Sequence, residues 1–346
     1  MYKFSFLFLT LTLLFSGCDI SSSSDDDSDS SVSLPEPKPA PIDPYSKYQW
    51  NFAYTDALPY VQEGSSSKIR DAQTYTLGEG ATIAIIDSCF DVTHEDAPQK
   101  IIATYNAETK GSDVSCYGAE PHGISVSGVA GAPANGTGLI GVAPNANFIL
   151  IKIPMDNLSM SDLVDAFLFA KDHGASVISN SWGTYNITDT ERDLFNSIQD
   201  SGISIVFACG NDGSSLDIPS IEDECEASSV IGVGSSNEYN QMASYSNYGM
   251  NMDLLAPSGE YGIVTIDAQG SAGYNQDQLN TLHDNDYTYF AGTSAAAPEV
   301  SGVIALLKSI NPSLSPLRIK EILQRTGENI NGYPKVNAYN ALLNAN

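Results

Sequence analysis

The chain has 346 residues, 42% of them hydrophobic, enough for a sizeable buried core in one large domain or two average ones. Its 15 Lys and Arg against 42 Asp and Glu give a net charge of −27. Such a balance repels polyanions, which argues against nucleic acid and anionic lipid headgroups as partners and fits a soluble exported protein.

The opening residues MYKFSFLFLTLTLLFSGC set Lys3 before an apolar run from Phe4 to Phe15, then small residues and Cys18. This is the layout of a signal peptide, with a run short for a spanning helix. It resembles a bacterial lipoprotein signal, with Phe15 where such signals more usually carry Leu. The resemblance implies lipidation at Cys18 and a tether on the extracytoplasmic side of a bacterial membrane. Residues 19–44 are rich in Ser and Asp, then in Pro, and nearly free of large apolar groups. They read as a disordered spacer. The expected organisation is a signal peptide at 1–17, a spacer at 18–44 and one domain at 45–346. With Cys18 set aside, Cys89, Cys116, Cys209 and Cys225 form an even set with three possible pairings, or remain free thiols.

Within the domain, ATIAIID (81–87), FILIKI (148–153), SVISNSW (176–182), ISIVFAC (203–209) and SVIGVG (229–234) are short, β-branched apolar runs. They predict strands buried on both faces of a parallel sheet. Helical patterns lie between and after them. In 159–174 Leu163, Ala166, Phe167 and Ala170 fall on one face, with Ser159 or Ser161 as cap and Gly174 as stop. Residues 188–202 are similar, and 294–310 and 315–327 read as two more helices, the last with Ser315 as cap and Pro316 at its first position. Alternation of this kind predicts an α/β fold of three layers, a mainly parallel central sheet flanked by helices.

The chemistry-bearing residues sit at element ends. Asp87 closes the first of these strands, His122 follows Pro121 in PHGISVSGVAGA, Asn211 follows a strand and a glycine in VFACGNDG, and Ser294 lies in GTSAAAP where a helix begins. A serine nucleophile needs a base, and the base needs a carboxylate to orient it. An amide donor and the unpaired N–H of a helix start can hold an oxyanion. The motif G-x-S-x-G of the α/β-hydrolases is not what surrounds Ser294.

These segments, with NGTGLIGVAPNA, ISNSWG and ASYSNYGMNMDLLAPSG, resemble in content and order the subtilisin-like serine proteases, the subtilases. The resemblance implies a subtilisin-like fold and a serine endopeptidase acting on proteins or peptides, with no cofactor for catalysis. It implies Asp87 as orienting carboxylate, His122 as acid and base, Ser294 as nucleophile and Asn211 as oxyanion donor. It also implies substrate binding along Ser181, Trp182, Gly183, Cys209 and Gly210, and a structural calcium held by Asp43, Asp96 and Asn135 with backbone oxygens of Pro133, Thr137 and Leu139. A monomer is expected, without room for a propeptide domain ahead of the first strand. The chain departs from the family pattern at Cys89 after Asp87-Ser88, at Ile124 and Ser125 after His-Gly, and at Glu299 in place of a His. The loop IEDECEAS (221–228) is either an acidic wall favouring Lys or Arg at P1 or a solvated charge run. A catalytically silent peptide-binding protein on the same fold is the competing reading.

Overall fold

The structure, a computed structural model, describes residues 33–116, 120–277 and 279–346. The predicted signal peptide, Cys18 and the spacer as far as residue 32 lie outside the described residues. A 3₁₀ turn at Pro44–Tyr48 leads to α1 (Ile69–Ala72), β1 (Thr82–Asp87), β2 (Ile101–Asn106), α2 (His122–Gly131), β3 (Asn147–Lys152) and α3 (Met160–Asp172). Then come β4 (Val177–Asn180), α4 (Asp189–Asp200), β5 (Ser204–Ala208), a 3₁₀ turn at Glu224–Glu226, β6 (Ile231–Ser236) and β7 (Leu254–Pro257). The chain continues through β8 (Ile263–Ile266), β9 (Tyr287–Phe290), α5 (Thr293–Ile310), α6 (Pro316–Thr326), β10 (Glu328–Ile330), β11 (Tyr333–Lys335) and α7 (Ala338–Leu343).

Nine strands form one sheet in the order β10-β11-β7-β6-β5-β4-β1-β3-β2, and all its pairings are parallel except β10 with β11. β8 and β9 make a separate antiparallel hairpin. The predicted strands and helices are all present, most displaced by one or two residues at their ends. The β1 burial pattern explains the layers. Ile83 and Ile85 pack into the core beneath α2, α5 and α6, whereas Ala84 and Ile86 pack into a second core with residues of α3 and α4. A strand wholly buried on two faces is apolar through its middle, and β1 is so from Ile83 to Ile86, between Thr82 and Asp87.

Local chemistry fixes the helix starts. Ser159 caps α3, Thr188 caps α4 in a reciprocal arrangement with Glu191, and Ser315 caps α6 with Pro316 at its first position. The packed chain reaches further toward the N-terminus than residue 45. Leu34 packs against the core, the Lys38 N–H donates to the Thr74 carbonyl at 2.7 Å, and the Arg70 guanidinium donates to the Pro41 carbonyl.

The cysteines are joined as Cys89–Cys116 and Cys209–Cys225. The first ties the loop after β1 to the segment ahead of α2, and the second ties the end of β5 to the acidic loop.

Candidate active site

β3 and β4 pair with opposite sides of β1, so the sheet grows in two directions from that strand. Side chains at the C-terminal ends of β1, β4 and β5 therefore border one crevice, the usual place for a site in an open α/β sheet. Asp87 ends β1, Ser181 follows β4 and Asn211 follows β5.

Asp87 is fully buried. Its Oδ1 accepts the His122 Nδ1–H at 2.8 Å and the Ser88 N–H at 2.7 Å, while Oδ2 has no partner among the described residues. With Nδ1 committed to a carboxylate, the other ring nitrogen of His122 is the one available as a base. Burial pulls the imidazole pKa down, but the charge and hydrogen bond of Asp87, with Glu120 adding, outweigh it and leave it above the ordinary histidine value. Phe290 packs edge-on against the ring at 5.3 Å. The close seat of α2 on β1 depends on Gly123, because a Cβ there would meet the Cys89 carbonyl at 2.5 Å.

Ser294 is the second residue of α5, and Gly292, at φ 91°, is its N-cap. The serine therefore does not cap the helix. Its Oγ donates to the Ser181 carbonyl at 3.1 Å, and the Ser181 hydroxyl donates back to the Ser294 carbonyl at 2.9 Å. That second bond has a cause in the sequence: Pro298 lies four residues on inside α5 and has no N–H to give to the Ser294 carbonyl. The Ser294 N–H, in the first turn of α5, has no intrahelical partner. Asn211 Oδ1 accepts the N–H of Thr293 at 2.8 Å and its hydroxyl at 3.1 Å. This fixes the amide so that Nδ2 is the free donor. His122, Asn211 and Ser294 line one cavity of about 330 Å³.

A narrower cavity of about 70 Å³ adjoins Ser294 and is lined by Ser181, Trp182, Gly183, Gly210 and Asp223 among others. Residues 181–183 also border a third cavity with His122, so four of the five predicted substrate-binding residues reach the crevice. Trp182 does so with its ring turned to the core, where Nε1 donates to the Ile86 carbonyl at 2.9 Å. Cys209 is a correction: it lies fully buried behind the crevice, bonded to Cys225, with its carbonyl accepting from Asn247. Asp223, Tyr185 and Tyr274 line the cavities without a sequence motif of their own. Only the acidic run around Asp223 gave any signal.

The predicted calcium residues also converge. Asp43 accepts the N–H groups of Asn135 and Gly136, and Asp96 accepts from Asn135 Nδ2, the Thr137 hydroxyl, the Leu139 N–H and the Tyr287 hydroxyl. Burial raises both carboxyls above their ordinary range, partly offset by these donors. Two buried carboxylates from separate segments and the amide of Asn135, converging on the loop after α2, suit a hard cation. Among the described residues no group of three or more His, Cys, Asp or Glu side chains clusters as a metal site. Two of the three remaining histidines have local roles. His94 bridges the Asp286 carbonyl and the Asp96 N–H, and His173 ends α3 against the Phe169 carbonyl.

A mainly parallel three-layer domain carrying a buried Asp–His pair, a helix-start serine and an amide donor around one crevice is that of a serine-type endopeptidase. The chain belongs to the subtilase family, whose pattern it matches over residues 78–341. It is 33% identical over 309 residues to the thermophilic serine proteinase of Bacillus sp. strain AK1, covering 86% of this chain and 68% of the relative. It is 32% identical over 296 residues to the calcium-dependent protease of Nostoc sp., covering 76% of this chain but 44% of that protein. Among solved structures, a protease of Pseudoalteromonas arctica superposes with a TM-score of 0.74 at 26% identity, covering 89% of this chain and all of that one.

Proposed function

We propose that the protein hydrolyses peptide bonds through an acyl-enzyme formed on Ser294. The observation that carries this is the 2.8 Å contact between buried Asp87 and His122, with Ser294 and Asn211 on the same cavity. The Ser294 Oγ turns about χ1 from the Ser181 carbonyl toward the free nitrogen of His122, which takes its proton as Oγ attacks the scissile carbonyl. The oxyanion is held by Asn211 Nδ2 and the Ser294 N–H, both aimed by groups already fixed before substrate arrives. His122 then protonates the leaving amine, and water enters by the same route in reverse. Asp87 holds the imidazole in one tautomer and stabilises its cation. The substrate lies extended along the main chain of 181–183, beyond the end of β4, and pairs with it as an added strand would.

A structural calcium belongs to this reading, at Asp43, Asp96 and Asn135 with the carbonyls of Pro133, Thr137 and Leu139. The donor chemistry supports it, and so does the calcium dependence of the Nostoc protease it resembles. A lipid tether at Cys18 on the extracytoplasmic side also belongs to this reading, with a spacer from residue 18 that ends where the chain packs onto the catalytic domain near Leu34, and the domain acts as a monomer. A p-nitrophenyl ester tests the chemistry: a burst of nitrophenol stoichiometric with enzyme is expected, absent in Ser294→Ala. Equal hydrolysis by that variant would refute the assignment.

A further inference from the structure

The acidic loop divides into two kinds of side chain. Glu222 is exposed and ion-paired with Arg192 at 2.7 Å. Asp223 and Glu224 are turned inward, 5% and 0% exposed, and neither is paired with a Lys or Arg among the described residues. Asp223 lines the narrow cavity beside Ser294. Its Oδ1 accepts the Cys225 N–H at 3.0 Å. Glu224 Oε1 is held by the N–H and hydroxyl of Thr184, but its Oε2 is buried with no partner. That oxygen stands 3.3 Å from where a Cβ on Gly183 would be, immediately behind the wall that Gly183 gives the cavity.

A buried carboxylate left without a counter-charge is costly, and a bound cation relieves the cost. Here the uncompensated pair borders a slot that opens on the Ser294 side chain. We propose that Asp223, backed by Glu224, makes this slot the pocket for a lysyl or arginyl side chain on the residue whose carbonyl is attacked. The inference rests on Ser294 being the nucleophile. The slot, about 70 Å³ in volume, suits an unbranched stem, and Tyr185 lines its wall beside the same two acids. Burial pushes the Asp223 carboxyl up to about 7, with Glu224 and Glu226 adding to it against the Cys225 N–H. A bound ammonium would draw it back into the ionised state. The Cys209–Cys225 bond ties the loop that carries both acids to the end of β5. A neutral side chain of equal length would fill the slot and leave both acids without a counter-charge.

The test uses the full chain with peptide p-nitroanilides that differ only at P1: Lys, Arg, and norleucine as the uncharged match in length. The kcat/KM for Lys is expected to exceed that for norleucine by roughly 10- to 100-fold, the range of a close charge pair out of water. Asp223→Asn, which keeps the hydrogen bond to Cys225, should reduce that ratio about tenfold or more. Glu222→Gln, outside the slot, should retain it. Equal rates for Lys and norleucine, or the same loss of preference in Glu222→Gln, would overturn the proposal. Labelling of Ser294 by a fluorophosphonate in the same samples separates the two levels. Labelling with no basic preference removes only the pocket assignment, and no labelling removes the nucleophile and the pocket together.

Discussion

Pro298 and Ser181 together shape the carbonyl of the nucleophile. Pro298 withholds the helical N–H that the Ser294 carbonyl would otherwise accept, and the Ser181 hydroxyl donates to that carbonyl instead at 2.9 Å. The helix that presents Ser294 is thus tied to the segment after β4 along which substrate is expected to lie. Replacing Ser181 with Ala leaves a carbonyl of the first helical turn unpaired. It is expected to cost about 1–2 kcal/mol in stability and to lower kcat, read by denaturant unfolding and steady-state kinetics.

Asp87 contributes orientation and charge together. Asp87→Asn retains the volume but offers an amide where His122 Nδ1–H needs an acceptor, favouring the wrong tautomer. We expect kcat/KM to fall roughly 10⁴-fold with the fold intact. A fall of less than tenfold would show that the Asp87–His122 contact is structural.

The pH profile follows from the same pair. His122 must be neutral to act as base, and Asp87 and Glu120 hold its pKa above the ordinary value in spite of burial. Activity should therefore rise with pH through a midpoint above about 6.5. Glu120→Gln removes one of the raising charges and should move that midpoint down.

Asn211 Nδ2 is free because Thr293 occupies the amide oxygen. Asn211→Ala is expected to lower kcat by roughly 10²–10³-fold with little change in KM, since the donor acts on charge that appears only in the transition state.

Glu299, fully buried in α5 where the family pattern has His, accepts from Asn51 at 2.6 Å and from Ser67. Burial raises its carboxyl to about 8, against the lowering influence of Ser67, Asn51 and the buried Lys335. The folded state therefore binds a proton that the unfolded chain has released above its ordinary value near 4.5. Stability from this group is complete below about 4.5 and is lost as pH rises toward about 8. Glu299→Gln cannot ionise, so its melting temperature relative to wild type should climb across that window. A constant difference between the two proteins would show that Glu299 does not titrate there.

The layers were legible from Ile83 to Ile86 because a strand buried on both faces must be apolar throughout, and the caps Ser159 and Ser315 because their mechanism is local. β2 was not legible: it lies at the sheet edge, and the residues from Ile101 to Tyr105 are only partly covered, so neither continuous nor alternating hydrophobicity marks it. The β8–β9 hairpin was missed because its pairing spans a long irregular loop. The cysteine pairing and the inward turn of Asp223 and Glu224 depend on contacts distant in sequence. Asp87, His122, Asn211 and Ser294 are legible through the resemblance of the motifs around them to the subtilases, since an element end alone would not single out any of them, and the structure sets each at an element end beside one crevice. Cys209 was adjacent in sequence to that edge but pointed away from it.

The central claim is that Ser294 is an activated nucleophile, and its most direct test is covalent labelling by a fluorophosphonate. The full chain, with calcium present, is expected to incorporate one probe per molecule at Ser294, with no incorporation in Ser294→Ala and strongly slowed incorporation in His122→Ala. A folded wild-type protein that takes up no probe, or one that labels equally after Ser294→Ala, would contradict the account.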